Sequence, residues 1–266
     1  MKICVLGCGN MGGAIINGLR KTHSDCEMEV WDTVLAKAQE FEFEKVKNPL
    51  EWFSEGEEEP DAIIIAVKPQ VIKEALTAFE HAGTKTLWIS IAAGITIESI
   101  EKMLPYEAKV VRVMSNTPAL IGEACSLYSI NNLCNDDDKK TVEYIFNAIG
   151  VSYEIPESQM NVATGLSGSG PAFVYTIIEA FAEAGVAAGL SYQLALKCAA
   201  KTILGSAKMV LETNEYPSVL KSRVMSPGGT TATGNIALEN GGVRGAIMSA
   251  VISAVEKADK LGKIHK

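Results

Sequence analysis

The first half of the chain alternates short apolar runs with longer segments in which apolar residues recur at helical spacing. Such runs are typical of strands buried on both faces of a parallel sheet, and the segments between them are typical of covering helices. The pattern predicts strands at residues 3–6, 28–32, 62–67, 87–91, 110–114, 124–130 and 151–155. A helix is predicted at 139–149, and Thr96 is placed to cap another.

The second half has a different pattern. Long alanine-rich segments at 172–189, 192–212 and 243–261 have helical spacing and lack the alternation of a strand. The change predicts an α/β domain over residues 1–157 and an all-α domain over 158–266. Helices with so many alanines individually bury little apolar area, so a dimer built through the second domain is expected.

Composition limits the partners. The 266 residues include 24 basic and 32 acidic side chains, and the formal charge of −8 argues against a nucleic-acid partner. Acidic runs at 55–59 and 136–138 are interpreted as solvated loops. The sequence has neither a secretory leader pattern nor an apolar run of membrane-spanning length, so a cytoplasmic protein without a membrane partner is expected.

The six cysteines and three histidines indicate neither a metal site nor a disulfide framework. No C-x-x-C pair occurs, and only His23, His81 and His265 could join cysteines as ligands. We therefore expect no metal. The small size of Cys8 explains its place in a glycine-rich turn of a protein kept in a reducing compartment.

That turn is the motif Gly7-x-Gly9-x-x-Gly12, between the first predicted strand and a helix-prone segment. In a dinucleotide-binding turn, the first glycine allows the tight turn, the second lets the backbone approach a pyrophosphate, and the third lets the helix pack closely. The helix N-terminus offers N–H groups and a positive dipole end to the anion. Asp32 follows Gly12 by about 20 residues, where a ribose-binding carboxylate is expected. These features predict a Rossmann-like dinucleotide-binding domain.

Two other segments carry candidate chemistry. Ala66-Val67-Lys68-Pro69 follows the third strand at the ligand-binding end of the sheet, where Lys68 is either a cofactor contact or a solvated turn lysine. The segment 226–231 offers two threonine hydroxyls and consecutive N–H groups that could form an anion nest, or it is an ordinary helix-capping turn.

The segment 164–172 superficially resembles a serine nucleophile elbow. Ser169 stands where that motif needs its last glycine, and no histidine is suitably placed for a triad. A hydrolase is therefore disfavoured, and the segment is either a small-residue loop that caps a helix beginning at Pro171 or a site of another chemistry.

Five motifs together resemble the pyrroline-5-carboxylate reductase family over essentially the whole chain. They are Gly7-x-Gly9-Asn10-Met11-Gly12, Ala66-Val67-Lys68-Pro69, Asn116-Thr117-Pro118-Ala119, Gly165-Leu166-Ser167-Gly168-Ser169-Gly170-Pro171-Ala172 and Ser226-Pro227-Gly228-Gly229-Thr230-Thr231. The resemblance implies a dinucleotide domain, a helical dimerisation domain and assembly into a dimer or a ring of dimers. It implies hydride transfer from NADPH or NADH to the cyclic imine L-1-pyrroline-5-carboxylate, which gives L-proline in the last step of proline biosynthesis.

The resemblance also implies site residues. Thr231 is expected to be catalytic through a hydrogen bond to the ring nitrogen, and the substrate is expected to bind at Ser226, Gly229, Thr230 and Thr231. The pyrophosphate turn would be formed by Leu6, Gly7, Cys8, Gly9, Asn10 and Met11. Asn48 would lie on the adenosine side, and Ala66, Val67, Lys68 and Pro69 on the nicotinamide side, with Asp32 as the ribose-binding carboxylate.

The chain departs from the family pattern at several positions. Ser115 stands where proline is usual, Ser222 where an acid is common, and Met225 where threonine commonly occurs. Asp32 repels a 2′-phosphate and favours NADH, whereas the family favours NADPH, and Lys37 could rescue phosphate binding if it reaches. Both cofactors therefore stay open.

Three alternatives use the same first domain. A hydroxyacid dehydrogenase should show a lysine or histidine acid near its substrate, and the Thr231 loop stands in place of such a group. A related imine reductase would act on another ring. A dinucleotide-binding oligomer that senses redox state would need no segment like 226–231.

Overall fold

The computed structural model of the protein describes residues 1–42, 48–53, 58–77, 79, 85–104 and 107–264. The chain divides into two compact units. The first comprises Met1–Ser169 together with Ser253–Lys266, and the second comprises Gly170–Ile252. The domain boundary predicted from the sequence, between residues 157 and 158, stays a prediction.

One sheet of seven strands is formed by the described residues. The strands are β1 (Lys2–Leu6), β2 (Glu27–Trp31), β3 (Ala62–Ile65), β4 (Leu87–Ser90), β5 (Lys109–Met114), β6 (Ala124–Ile130) and β7 (Gly150–Glu154). Their order is β2-β1-β3-β4-β5-β6-β7, and every neighbouring pair is parallel except β5 and β6. The expectation of a parallel sheet therefore holds only in part, because β6 runs antiparallel to β5. The connection at 115–123 is shorter than the dozen or so residues that a parallel crossover needs.

Helices cover both faces of the sheet. The first unit contains α1 (Asn10–Thr22), α2 (Leu35–Gln39), α3 (Ile72–Thr77), α4 (Ile97–Met103), α5 (Asp136–Asn147) and α6 (Met160–Ala163). Alternate residues of β1 enter different cores: Ile3 and Val5 pack with α1 and α5, whereas Cys4 and Leu6 pack with α3 and α4. This explains the unbroken apolar run in the sequence. Thr96 caps α4 as predicted, because its hydroxyl oxygen accepts from the Ser99 N–H at 3.1 Å.

The second unit is helical, as predicted. It contains α7 (Gly170–Ala187), α8 (Tyr192–Thr213), α9 (Pro217–Arg223) and α10 (Thr230–Asn240), and α11 (Val243–Ile264) begins in it. The small buried core of α7 and α8 consists of Ala182, Ala195 and Ala199. Large apolar side chains are instead exposed in the single chain, including Tyr175, Phe181, Leu211, Ile236 and Met248. Apolar surface on this scale is typical of a self-association face.

Two further properties concern the chain as a whole. In the part of the chain that the structure describes, no helix combines the length and apolar character needed to cross a bilayer. All six cysteines lie among the described residues and are free thiols.

The interpretation of residues 136–138 as a solvated loop is wrong. They form the first turn of α5, where the Asn135 side-chain oxygen accepts from the N–H groups of Asp137 at 2.8 Å and Asp138 at 3.1 Å. Asp138 is buried, accepts from the Asn135 N–H at 2.7 Å and pairs with Lys109 at 2.9 Å. Acidic residues stabilise a helix N-terminus by this reciprocal capping and through the dipole. Most of the acidic run at 55–59 lies outside the described residues.

Asn135→Ala is expected to lower the free energy of unfolding by about 1–2 kcal/mol, because it removes the acceptor of two first-turn N–H groups. Asn132→Ala changes an exposed asparagine just before the cap and is the matched control, with an expected effect under about 0.5 kcal/mol. Denaturant titration at a fixed protein concentration measures both values. Equal stability of the two variants would contradict the assigned capping role.

Candidate active site

The glycine turn lies where the carboxyl ends of β1 and β3 meet. These strands are parallel neighbours, with Leu6 in register with Ile65, and β2 flanks β1 on the other side. Gly7 has a φ of +105°, and a Cβ atom there would lie 2.7 Å from the carbonyl oxygen of Ala66. A Cβ atom at Gly12 would lie 2.0 Å from the carbonyl oxygen of Gly7. Both positions require glycine, and the turn opens at the switch point of the strand order, where α/β sheets bind ligands.

Gly9 has a different environment. It precedes the first residue of α1, and no side chain in the described ranges caps that helix end. Around Gly9, a Cβ atom would meet none of the described heavy atoms within 4 Å, and both Gly9 and Asn10 are exposed. The open space and the uncapped N–H groups of α1 together fit an anion such as a pyrophosphate. A side chain at Gly9 would project into that space.

Asp32 anchors this turn from the end of β2. One carboxylate oxygen accepts from the Cys8 N–H at 2.8 Å, and the other accepts from the Val34 N–H, also at 2.8 Å. Only 9% of the residue is exposed. Burial, followed by the charge of Asp32, raises the pKa of the Cys8 thiol to about 12, so Cys8 is an unreactive small residue of the turn.

A cleft of about 300 Å³ opens beside the turn. Five predicted cofactor residues line it: Leu6, Gly7, Asp32, Asn48 and Val67. The other described residues of its wall are Trp31, Thr33, Pro49, Val71, Glu74 and Ala75. Size, apolar wall and a few polar groups are typical of a small-ligand site.

The remaining predicted cofactor residues belong to the glycine turn and to the segment after β3, and the described wall of the cleft does not include them. Cys8 is held by Asp32, Asn10 and Met11 open α1, and the Ala66 backbone contacts Gly7. Pro69 begins a short 3₁₀ turn, Pro69–Val71, and Lys68 is exposed just before it. The roles of these residues toward a cofactor stay predictions.

Sequence reasoning missed several residues of the cleft wall. Trp31 is the last residue of β2 and directly precedes Asp32. Its position beside the site could therefore have been predicted from the strand alone. Glu74 and Ala75 come from α3, and their approach to Asp32 depends on how that helix packs, for which the sequence carries no local signal.

The loop at 226–231 lies in the second unit and leads into α10, whose first two residues it includes. Gly228 has a φ of +68°, and the Gly229 N–H donates to the Ser226 carbonyl oxygen at 3.0 Å. Thr230 and Thr231 are the first two residues of α10, both are exposed, and no described side chain caps the helix. The loop therefore presents uncapped N–H groups and two hydroxyls to solvent, as an anion-binding turn requires.

Charged side chains near this loop form ion pairs. Arg223 makes a two-point pair with Glu215, in which Nη2 lies 2.7 Å from Oε1. Arg244 pairs with Glu239 at 2.9 Å, and Lys221 lies 3.9 Å from the same carboxylate. These positively charged side chains therefore already have acidic partners within the second unit.

Two family motifs meet through Asn116. Its side-chain nitrogen donates to the Ser167 carbonyl oxygen at 3.2 Å, and its side-chain oxygen accepts from the Cys125 N–H at 3.1 Å. The Ser167 hydroxyl donates to the Cys125 carbonyl oxygen at 2.7 Å. Residues Thr164–Gly168 form a π-helical turn, so the interpretation of this segment as a loop is wrong. Ser167 is a buried structural serine and not an exposed nucleophile.

No group of three or more histidine, cysteine or acidic side chains capable of holding a metal occurs in the residues for which the structure gives positions. His23 stacks on Tyr144 with ring centroids 3.7 Å apart. His81 and His265 lie outside the described residues.

Comparison with known proteins agrees with this architecture. A sequence model described as pyrroline-5-carboxylate reductase dimerisation matches residues 157–261, and one described as NADP oxidoreductase coenzyme F420-dependent matches residues 2–94. The pyrroline-5-carboxylate reductase of Escherichia coli is 38% identical over 269 residues, which covers 98% of each chain.

Two solved structures are similar over nearly the full length. A Plasmodium falciparum pyrroline carboxylate reductase with NADP bound is 34% identical, with a TM-score of 0.83 and 98% of each chain covered. A Coxiella burnetii pyrroline-5-carboxylate reductase is 33% identical, with a TM-score of 0.89 and 97% of each chain covered. The likeness therefore extends over both the α/β unit and the helical unit, and the chain belongs to the pyrroline-5-carboxylate reductase family.

Proposed function

We propose that the protein reduces L-1-pyrroline-5-carboxylate to L-proline with a hydride from NADH or NADPH, as the last step of proline biosynthesis. The observation that carries this proposal is the uncapped loop at 226–231, in a chain of this family whose first unit contains a dinucleotide-type glycine turn. The reduced nicotinamide supplies the hydride when bound. The protein is left to bind, orient and exclude water.

On the cofactor side, Leu6, Gly7, Cys8, Gly9, Asn10 and Met11 form the proposed pyrophosphate turn. The open space at Gly9 supports this role. Asn48 and Asp32 line the cleft and are assigned to the adenosine half. Ala66, Val67, Lys68 and Pro69 are assigned to the nicotinamide half, because they follow β3 directly beside Gly7.

On the substrate side, Ser226, Gly229, Thr230 and Thr231 are proposed to hold the imine. The Gly229 N–H already donates within the loop, so the N–H groups of Thr230 and Thr231 are the donors best placed for the substrate carboxylate. The Thr231 hydroxyl is assigned to the ring nitrogen, where it steadies a charge that changes during reduction. A threonine hydroxyl is a poor acid, so the proton comes from solvent.

Three wider assignments belong to the same proposal. Residues 1–157 serve the dinucleotide and residues 158–266 serve substrate and assembly, a division supported by the dimerisation match from residue 157. Self-association proceeds through the helical domain, and a ring of dimers is its proposed extension. The six free thiols support a cytoplasmic location, and the charge of −8 supports a protein without nucleic-acid partners.

The direct test follows absorbance of reduced nicotinamide with pyrroline-5-carboxylate and either dinucleotide, and identifies proline chromatographically. We expect cofactor oxidation that depends on the imine and forms one proline per dinucleotide consumed. Dinucleotide binding without oxidation would contradict the reductase and favour a binding protein. Oxidation of the dinucleotide only in the presence of another cyclic imine would show that the enzyme has a different substrate.

The glycines of the turn should respond differently to alanine. Gly9→Ala has ordinary backbone angles and free space, so we expect stability within about 1 kcal/mol of the parent but dinucleotide affinity lowered at least about tenfold. Gly7→Ala combines a left-handed φ with a contact to Ala66, so we expect a stability loss of about 2 kcal/mol or more. Thermal unfolding and calorimetric titration measure the two effects. Unchanged affinity in Gly9→Ala would refute the pyrophosphate assignment.

Thr231→Ala is expected to lower kcat/KM for the imine about tenfold or more, because the hydrogen bond to the ring nitrogen is lost in the transition state. Dinucleotide affinity should stay unchanged. Thr231→Ser is the matched control: it keeps the hydroxyl and should retain most of the activity. Steady-state kinetics and a binding titration check both statements, and full activity in Thr231→Ala would remove Thr231 from the mechanism.

A further inference from the structure

The wall of the dinucleotide cleft carries acidic charge. Among its described residues, the ionisable side chains are Asp32 and Glu74, and both are acids. Thr33 and Asn48 add neutral polar groups, and Trp31 adds an aromatic surface. A phosphate monoester carries about −1.5 to −2 charges near neutral pH, so a 2′-phosphate in this cleft would meet like charge.

Asp32 cannot easily move away from such a phosphate. Its two oxygens are held by the N–H groups of Cys8 and Val34, and the residue is almost fully buried. Rotation would leave both N–H groups without this acceptor, and the loss is most unfavourable for the buried Cys8 N–H. Each oxygen still has capacity for one more hydrogen bond, and a ribose hydroxyl can donate it.

Among the residues that the structure describes, Lys37 is an opposing charge close to the glycine turn. It is exposed on α2, and its charge lowers the pKa of Cys8 whereas that of Asp32 raises it, with Asp32 having the larger effect. At the Cys8 thiol, therefore, the fixed carboxylate of Asp32 has a larger electrostatic effect than the exposed ammonium group of Lys37. Lys37 would also lose rotamer freedom to reach a bound phosphate.

We propose that this chain selects NADH over NADPH, and that Asp32 sets the selection by fixing a carboxylate where the cofactors differ. The inference rests on the proposed function of the cleft. The Plasmodium falciparum relative was solved with NADP bound, so the selection is assigned to residues of this chain and not to the family.

Calorimetric titration of the unmodified protein with NADH and NADPH is the first test. A second ligand pair, adenosine 5′-monophosphate and its 2′-phosphorylated form, differs only at the disputed group and needs no variant. In both pairs we expect the ligand without the 2′-phosphate to bind at least about tenfold more tightly. Equal or tighter binding of the phosphorylated ligands would overturn the selection. Binding of neither dinucleotide would instead overturn the proposed function itself.

Asp32→Ser and Asp32→Asn remove the charge and test its assignment. Either should shift the ratio of the two affinities toward NADPH by about tenfold, whatever happens to the absolute values. Asp25→Asn makes the same charge change at an exposed position before β2 and should leave the ratio unchanged. Glu74→Gln measures how much the second acid of the cleft contributes to the ratio of the two affinities. An unchanged ratio in both Asp32 variants, or an equal shift in Asp25→Asn, would refute the role of Asp32.

Discussion

The close backbone approach of Gly7 to Ala66 is the constraint on which the dinucleotide half of the structure depends. It is possible because β1 and β3 are parallel neighbours that end at the same level. Gly12, in the first turn of α1, also lies against the Gly7 carbonyl group and the Ala66 Cβ atom. A larger residue at Gly7 would separate the strand ends, and the cleft wall contributed by Val67 and Val71 would move with β3. Fold and site are therefore not independent features of this unit.

The helical unit is held together by close packing of small side chains. Its buried core is made of alanine side chains, and Gly185 allows α7 and α8 to pack so closely that an added Cβ would lie 3.0 Å from the Cβ atom of Ala195. Close packing of small residues leaves the larger side chains on the outside, where Phe181 and Met248 are exposed in the single chain. Self-association supplies the burial that a single copy does not have, which is consistent with a dimerisation domain.

The sequence predicted the parts of the molecule that depend on local pattern. Strands such as β3 were predictable because burial on both faces leaves a continuous apolar run. Gly7 and Gly12 were predictable because a left-handed φ at Gly7 and a close backbone contact at Gly12 exclude side chains. An acidic run is compatible with two structures, a solvated loop and the first turn of a helix. The prediction for residues 136–138 was wrong because these acids begin α5. Sequence reasoning also missed contacts between distant segments. The hydroxyl of Ser115, at a position where the family usually has proline, accepts from the buried Ser126 hydroxyl at 2.8 Å, which keeps this turn tied to β6.

Charge and chemistry are assigned to different units of this chain. In the proposed binding mode, the fixed carboxylate of Asp32 faces the part of the cofactor that takes no part in hydride transfer, so it can alter which dinucleotide binds without altering the reaction. The proposed imine site uses backbone N–H groups and a threonine hydroxyl, none of which changes protonation near neutral pH. The group that must change charge is the substrate nitrogen, and the hydride comes from the cofactor. In this proposal the substrate loop needs no titrating side chain, so a change of cofactor selection at Asp32 requires no change in that loop.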